Sequence, residues 1–374
     1  MYPFSAGLYA PRNRWYVAAR SAEVGRVALE RFILDEPVVF YRTEAGEAVA
    51  LAGRCPHRGY PLGRGRIDGD AVVCGYHGLR FEVDGHCSHI PSQDVIPPNC
   101  RVKAFQVAEH WEWLWIWPGD PALADLALIP DHRTLGLTDP DWIKRSPLYW
   151  QVEGRYQLLN DNLLDLTHLS VLHADTIGGG DVGGTRERHE EADGWVRSLR
   201  WIPNAHVTDW VRKSRGIEGQ VDREIMMTFA ASGFHFGHDR YFPAGADHGN
   251  DRPSLDIHIF HAVTPATRTS CHYFASSAVD PVTFELSRKH PPDTGSAVKI
   301  FTEDVEAIGE IERLLGAAGD FEEVPLRADV HALRGRRMVQ AMIRGGTIKP
   351  GCHPRSQPTA TRGSALVAQD RQVI

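Results

Sequence analysis

The chain has 374 residues, 42% of them hydrophobic and 24% charged, with a formal net charge of −7 from 41 basic and 48 acidic residues. These values describe a globular chain long enough for two domains and give no electrostatic reason to expect nucleic acid or an anionic membrane as a partner. No run of about 18 apolar residues occurs and residues 1–15 lack a charged stretch followed by an apolar one, so neither a transmembrane helix nor a signal peptide is expected, and a cytoplasmic location follows.

From about 14 to 118 the chain reads as short strands broken by turns. Pro37 to Tyr41 is a β-branched and aromatic run, Glu44-Ala45-Gly46 turns it toward Ala48 to Leu51, and Asp84-Gly85 is a hairpin signal. Inside this stretch stand Cys55-Pro56-His57-Arg58-Gly59 and Cys74-Gly75-Tyr76-His77-Gly78, with sixteen residues between His57 and Cys74. Each half pairs one thiolate with one imidazole. A zinc finger groups its two cysteines in one knuckle and its two histidines in the other. A Rieske [2Fe-2S] cluster needs two cysteines on one iron and two histidines on the other, which two such loops supply. Gly59, Gly75 and Gly78 allow backbone amides to approach the sulfurs, and Tyr76 is placed to donate a hydroxyl to one of them.

The segment Trp111 to Trp117 alternates strictly, so a strand would carry all four tryptophans on one face, and a core or interdomain face is the simplest reading of that face. Pro118 to Pro140 is rich in Pro, Asp and Gly. The expected layout is α+β: an all-β domain over 1–120, a linker over 121–150, a larger domain of strands and helices over 151–345, and a mobile Gly-, Pro- and Ser-rich tail over 346–374.

In the second domain a helix is predicted from about Gln157 to Leu172, carrying Asp165 and His168 at i, i+3. A non-haem Fe(II) site that uses O2 takes two histidines and one carboxylate, leaving positions open. His168 and His173 are five apart, about 140° around a regular helix, so they cannot both face one metal unless the helix ends or bulges between them. A β-rich stretch, about 190 to 278, follows, then a second helix, about Ser296 to Leu315. Helical period puts Asp304 on a face with Ile300, Phe301 and Ile308, and Glu303 on a face with Lys299, Glu306 and Glu310. A carboxylate within an apolar stripe is costly unless paired or metal-bound, so Asp304 is the candidate third ligand and Glu303 reads as a solvated charge. His235 and His238 read as hydrogen-bonded structural residues. A cluster alone would suit an electron carrier with a non-catalytic second domain; the set His168, His173 and Asp304 argues against that.

These motifs resemble the Rieske non-haem iron oxygenases, in particular the vanillate and dicamba O-demethylase and toluenesulfonate methyl-monooxygenase group. The matching pieces are the two cluster loops, Trp115 to Asp120, Asn162 to Asp165 with His168 and His173, Thr264-Pro265, Ser270 to Tyr273, and Glu303-Asp304. The resemblance implies an N-terminal Rieske domain bearing a [2Fe-2S] cluster on Cys55, His57, Cys74 and His77. It implies a helix-grip-like catalytic domain, an antiparallel sheet with flanking helices, that holds one mononuclear Fe(II) on His168, His173 and Asp304. It implies a homotrimer in which Asp165 links His168 to a cluster histidine of the next subunit, His77. An NADH-dependent flavin/iron-sulfur reductase would supply electrons, and O2 would hydroxylate or O-demethylate a small aromatic acid; a non-methoxylated or non-aromatic ring is the alternative substrate. His261 lies where this group often contacts a substrate carboxylate, and Asn162 is a second candidate substrate contact.

Overall fold

The computed structural model describes residues 9–130, 141–192, 194–230, 233–247, 251, 253–290, 294–318 and 321–345. The tail expected over 346–374 lies outside them. The alternating runs of the first third pair into three small antiparallel sheets. β1 (Tyr16–Arg20), β9 (Gln106–His110) and β10 (Trp113–Trp117) form one, and β2 (Leu29–Ile33), β3 (Glu36–Arg42) and β4 (Ala48–Ala52) a second. β5 (Arg66–Asp68), β6 (Ala71–Val73), β7 (Arg80–Phe81) and β8 (Cys87–His89) form the third.

The rest is built on one eight-stranded antiparallel sheet of β11 (Ile143–Lys144), β12 (Leu148–Val152), β13 (Arg188–Ala192), β14 (Trp195–Ala205), β15 (Val221–Ala230), β16 (Phe234–Pro243), β17 (Leu255–Thr267) and β18 (Ser270–Val279). From β13 to β18 neighbours in sequence are neighbours in space. β11 and β12 both pair with β18. The stretch expected to be a linker over 121–150 therefore gives its last residues to this sheet, because β18 offers an open edge. α1 (Tyr156–Leu164), α2 (Gly180–Gly184), α3 (Asp209–Arg215), α4 (Pro281–Lys289), α5 (Thr294–Ala318) and α6 (Val330–Ile343) flank it, with α1 packed between α5, α6 and the sheet. Among the described residues no helix is long and apolar enough to cross a membrane.

The two halves share a core. Trp113, Trp115 and Trp117 point one way from β10, into Phe234, Phe236, Phe260 and Phe274 of the large sheet. Leu114 and Ile116 point the other way, into a cluster that also holds Val152, Tyr156, Val263 and Tyr273. Burial on both faces of a five-residue strand explains its unbroken apolar run. Trp111 departs from the alternation expected of it: it has φ +67° in the two-residue turn joining β9 to β10, though its ring still packs on Trp113 and Phe234. The seam is also hydrogen-bonded. Leu34 and Asp35 amides donate to the Pro265 and Ala266 carbonyls at 2.9 Å each, and His272 Nε2 donates to the Phe32 carbonyl at 2.9 Å.

Candidate active site

Two turns of the same construction hold the first constellation. The Gly59 amide donates to the Cys55 carbonyl at 2.9 Å and the Gly78 amide to the Cys74 carbonyl at 3.0 Å. Both glycines sit at positive φ, +72° and +74°, where a side chain would be strained. The cysteines are 2% exposed and the histidines are exposed, with the His57 and His77 rings 4.6 Å apart. Burial pushes the Cys55 thiol up to about 11; amides of His57 and Arg58 pull the other way, while the neighbouring Cys74 adds to the rise. Two buried sulfurs side by side, met by backbone amides, with two imidazoles outside them, fit a cluster with an inner thiolate-bound and an outer imidazole-bound iron. Every apolar residue packed around these turns lies between Ala28 and Ala104. Tyr76 lies against His77, with ring centroids 3.8 Å apart and the ring planes inclined at 38°.

The second constellation is assembled from distant residues. α1 stops at Leu164 because Asp165, at φ −108° and ψ 93°, leaves the helical region. Its Oδ1 then accepts the Thr167 amide at 2.9 Å and the Thr167 hydroxyl at 2.7 Å, capping a short tight turn over Leu166–Ser170. The expected break is present, because the tight turn that carries His168 ends at Ser170, ahead of His173, and a second break at Asp165 already ends α1 before His168. His168 Nδ1 donates to the Asp165 carbonyl at 2.5 Å, so within this chain Asp165 orients His168 through its backbone and not, as expected, through its carboxylate. His173 Nδ1 donates to Glu303 Oε2 at 2.8 Å. Each imidazole thus has its Nδ1 tied down and its Nε2 turned inward.

Asp304 Oδ1 lies 3.1 Å from His173 Nε2 and 3.5 Å from His168 Nε2, and the three donor atoms fall within 4.8 Å of one another. Bonds of about 2.1 Å to one ion at right angles separate ligand atoms by about 3 Å, so two nitrogens and one carboxylate oxygen here could hold a divalent metal with positions left open. Burial lowers the His168 pKa against the pull of Asp304; at His173 burial acts the same way but Asp304 and Glu303 outweigh it.

Helical period separates the two acids correctly for Asp304, which is 5% exposed. Glu303, however, is no solvated charge. It accepts from His173 and pairs with Lys299 at 3.4 Å, the outer partner that fixes a ligand histidine's tautomer. Asn162 Nδ2 donates to Asp304 Oδ1 at 3.1 Å and is not part of the cavity wall, so it positions a ligand rather than meeting substrate.

The triad forms one end of a cavity of about 440 Å³, a volume suited to a small organic molecule. Leu163, Ile225, Met226, Met227, Ile259 and Phe301 make much of its wall. His261 faces it as expected, with Nδ1 hydrogen-bonded to the Tyr273 hydroxyl at 2.8 Å; burial pushes its pKa down to about 4, so it is a neutral donor or acceptor and not a cation. His238 also lines the cavity, with Nε2 donating to Glu224 at 2.7 Å, whereas His235 is spent on Asn160 at 2.7 Å behind the wall. Arg145, Arg215, Arg223 and Asp239 line the cavity too, and no motif announced them.

Comparison with known proteins agrees with this anatomy. Residues 14–106 match the Rieske [2Fe-2S] domain and residues 152–345 the vanillate O-demethylase oxygenase C-terminal domain. The iron-sulfur subunit of the toluene-4-sulfonate monooxygenase system of Comamonas testosteroni is 33% identical over 90% of this chain and 99% of its own length. The dicamba O-demethylase oxygenase component of Stenotrophomonas maltophilia is 35% identical over 71% of this chain and 78% of its own. The crystal structure of dicamba monooxygenase bound to dicamba superposes with a TM-score of 0.78 at 30% identity, covering 89% of this chain and 97% of that one.

Proposed function

The chain belongs to the Rieske oxygenases with a vanillate O-demethylase-type catalytic domain, and on that premise we propose that it hydroxylates or O-demethylates a small aromatic acid as the terminal oxygenase of a system driven by NADH through a flavin/iron-sulfur reductase. The observation that carries this reading is the triad His168, His173 and Asp304 lining a largely apolar cavity, in a chain that also bears the paired cysteine-histidine turns. Cys55, His57, Cys74 and His77 would hold the cluster, and His168, His173 and Asp304 the iron. When bound, the cluster passes single electrons and the iron activates O2 beside the substrate.

The chain's own residues set the conditions. The Asp165 carbonyl and Glu303 keep both histidines presenting Nε2, and Asn162 holds Asp304 through a hydrogen bond to its Oδ1. The apolar wall excludes water, so oxidising power is directed to the bound carbon. In the methoxyarene case one oxygen atom enters a methyl C–H bond, the other leaves as water with two electrons and two protons, and the resulting hemiacetal sheds formaldehyde to leave a phenol.

Electrons reach this site from a neighbouring copy in a trimer. Among the described residues the apolar cluster around these turns is drawn from 28–104, and His57 and His77 are exposed. Asp165, half-buried beside His168, is the carboxylate that would meet the partner's His77, its second oxygen free of the Thr167 cap. Asp165→Asn keeps a cap acceptor but loses the charge; turnover should collapse while iron and sulfide contents stay normal, and normal turnover would remove Asp165 from the electron path. The reading as a whole is tested by metal analysis and by O2 uptake with the reductase across methoxybenzoates and arenesulfonates, with formaldehyde assayed. About three irons and two labile sulfides per chain are expected; zinc, or two irons, would sink it.

A further inference from the structure

The end of the cavity away from the triad is cationic. Asp239 accepts Arg215 at 2.9 Å and Arg223 at 2.8 and 3.1 Å, and takes the Tyr241 hydroxyl at 3.0 Å, so both its oxygens are engaged. Arg145 stands on the same wall with no side-chain hydrogen bond or ion pair among the described residues. The charge that acts on it is another cation, Arg215. Its backbone is nonetheless pinned: its amide donates to the Ser277 carbonyl at 2.9 Å and its carbonyl accepts the Ser276 hydroxyl at 2.8 Å. Arg215 and Arg223 share Asp239, while Arg145, exposed to solvent, adds a third guanidinium with no carboxylate partner among the described residues, so this end of the cavity carries an excess of positive charge.

The distances fit a ligand that spans the cavity. In the β16–β17 ladder His261 pairs with His235, near the triad, and Ile257 pairs with Asp239, at the arginine end. Four residues of strand separate these rows, about 13 Å at about 3.3 Å per residue, and the Arg145 backbone joins the sheet between them, at Ser277, which pairs with Ile259. Met226 and Ile259 line the interval. A metal site, an apolar middle and a fixed cation make a sequence of surfaces that matches an arene with a reactive substituent at one end and an oxyanion at the other. His261 cannot supply the cation, being buried and neutral, with its Nδ1 already engaged by Tyr273.

We infer that Arg145 is the specificity-determining residue of this cavity, its guanidinium taking the carboxylate or sulfonate of an aromatic substrate whose reacting carbon lies at His168, His173 and Asp304. This rests on the oxygenase reading of the same cavity. The planar fork of an arginine suits either oxyanion.

The test is calorimetric titration of the full-length holoenzyme with 4-methoxybenzoate, 4-methoxybenzenesulfonate and the neutral 4-methoxybenzamide, with turnover measured in the same preparations. Arg145→Gln should weaken binding of the anions about 10- to 100-fold and leave the amide unchanged, and Arg145→Lys should restore part of the loss. Weakening of one anion alone supports the anchor and narrows the class to that oxyanion. Equal effects on acid and amide, no effect at all, or a wild-type protein that binds neither acid overturns it. Anion binding that depends on Arg145 with no O2-dependent product would instead overturn the oxygenase reading; normal turnover of the acids with Arg145→Gln unaffected would overturn only the anchor.

Discussion

The two constellations are opposite solutions to holding a metal. The cluster turns are local: two five-residue turns with the same hydrogen bonds, cysteines inside and histidines at the surface. The triad is global: His168 and His173 come from the turns that follow α1, and Asp304 from α5, more than 130 residues later. A local site can be written into a short motif and exposed to a partner. A global site exists only after the sheet and helices have packed, and in return it lines a largely apolar cavity.

If the two are independent in this sense, removing one must spare the other. Asp304→Ala should abolish turnover and lower the iron content from about three to about two per chain, with the visible spectrum of the cluster unchanged. Cys74→Ser should do the converse, leaving about one iron in the triad and substrate binding intact. Loss of both centres in either variant would show that the halves depend on each other more than their construction implies.

The seam between the halves offers a smaller test. His272 bridges it, with Nε2 donating to Phe32 and Nδ1 accepting from the Tyr149 hydroxyl at 3.0 Å, and burial pushes its pKa down to about 4. The unfolded chain binds this proton near pH 6.5 and the folded chain only near pH 4. Stability from this residue is therefore complete above pH 6.5 and is lost as pH falls toward 4, on the order of 3 kcal/mol. Denaturant melts between pH 4 and 7 should show a shallower pH slope for His272→Gln; an unchanged slope would clear His272 of the effect. Smallest is Glu303→Gln, which keeps an acceptor for His173 but removes the charge. Iron affinity should fall about 10- to 100-fold, read by chelator competition, with no change at the cluster.

How much of this could be read from residues follows the same divide. The cluster ligands were legible because both halves of the motif are short and each carries its own glycine turn. Asp304 was legible because a carboxylate in an apolar stripe is conspicuous, and its burial agrees. Glu303 was misread because a helical wheel knows only its own helix, whereas its partner His173 arrives from 130 positions earlier. The break at Asp165 carried a signal that went unused: an Asp two residues before a Thr is a capping pattern, and it places the end of α1 ahead of both histidines. Trp111 obeyed the alternation of its neighbours but sits in the turn, since period alone does not say where a hairpin folds over. The arginines of the cavity wall had no motif at all; Arg223 and Asp239 meet only through the pairing of β15 with β16.

The interlock of Trp113, Trp115 and Trp117 with Phe234, Phe260 and Phe274 bears on how such chains diversify. Six large rings sharing one volume must change together, so a fragment carrying the cluster turns cannot be exchanged freely between lineages at the connecting segment. A chimera cut there inherits a mismatched hydrophobic joint unless both faces come from the same parent. New substrates are reached instead by altering the strands and turns around the cavity, where a single substitution touches neither metal nor joint.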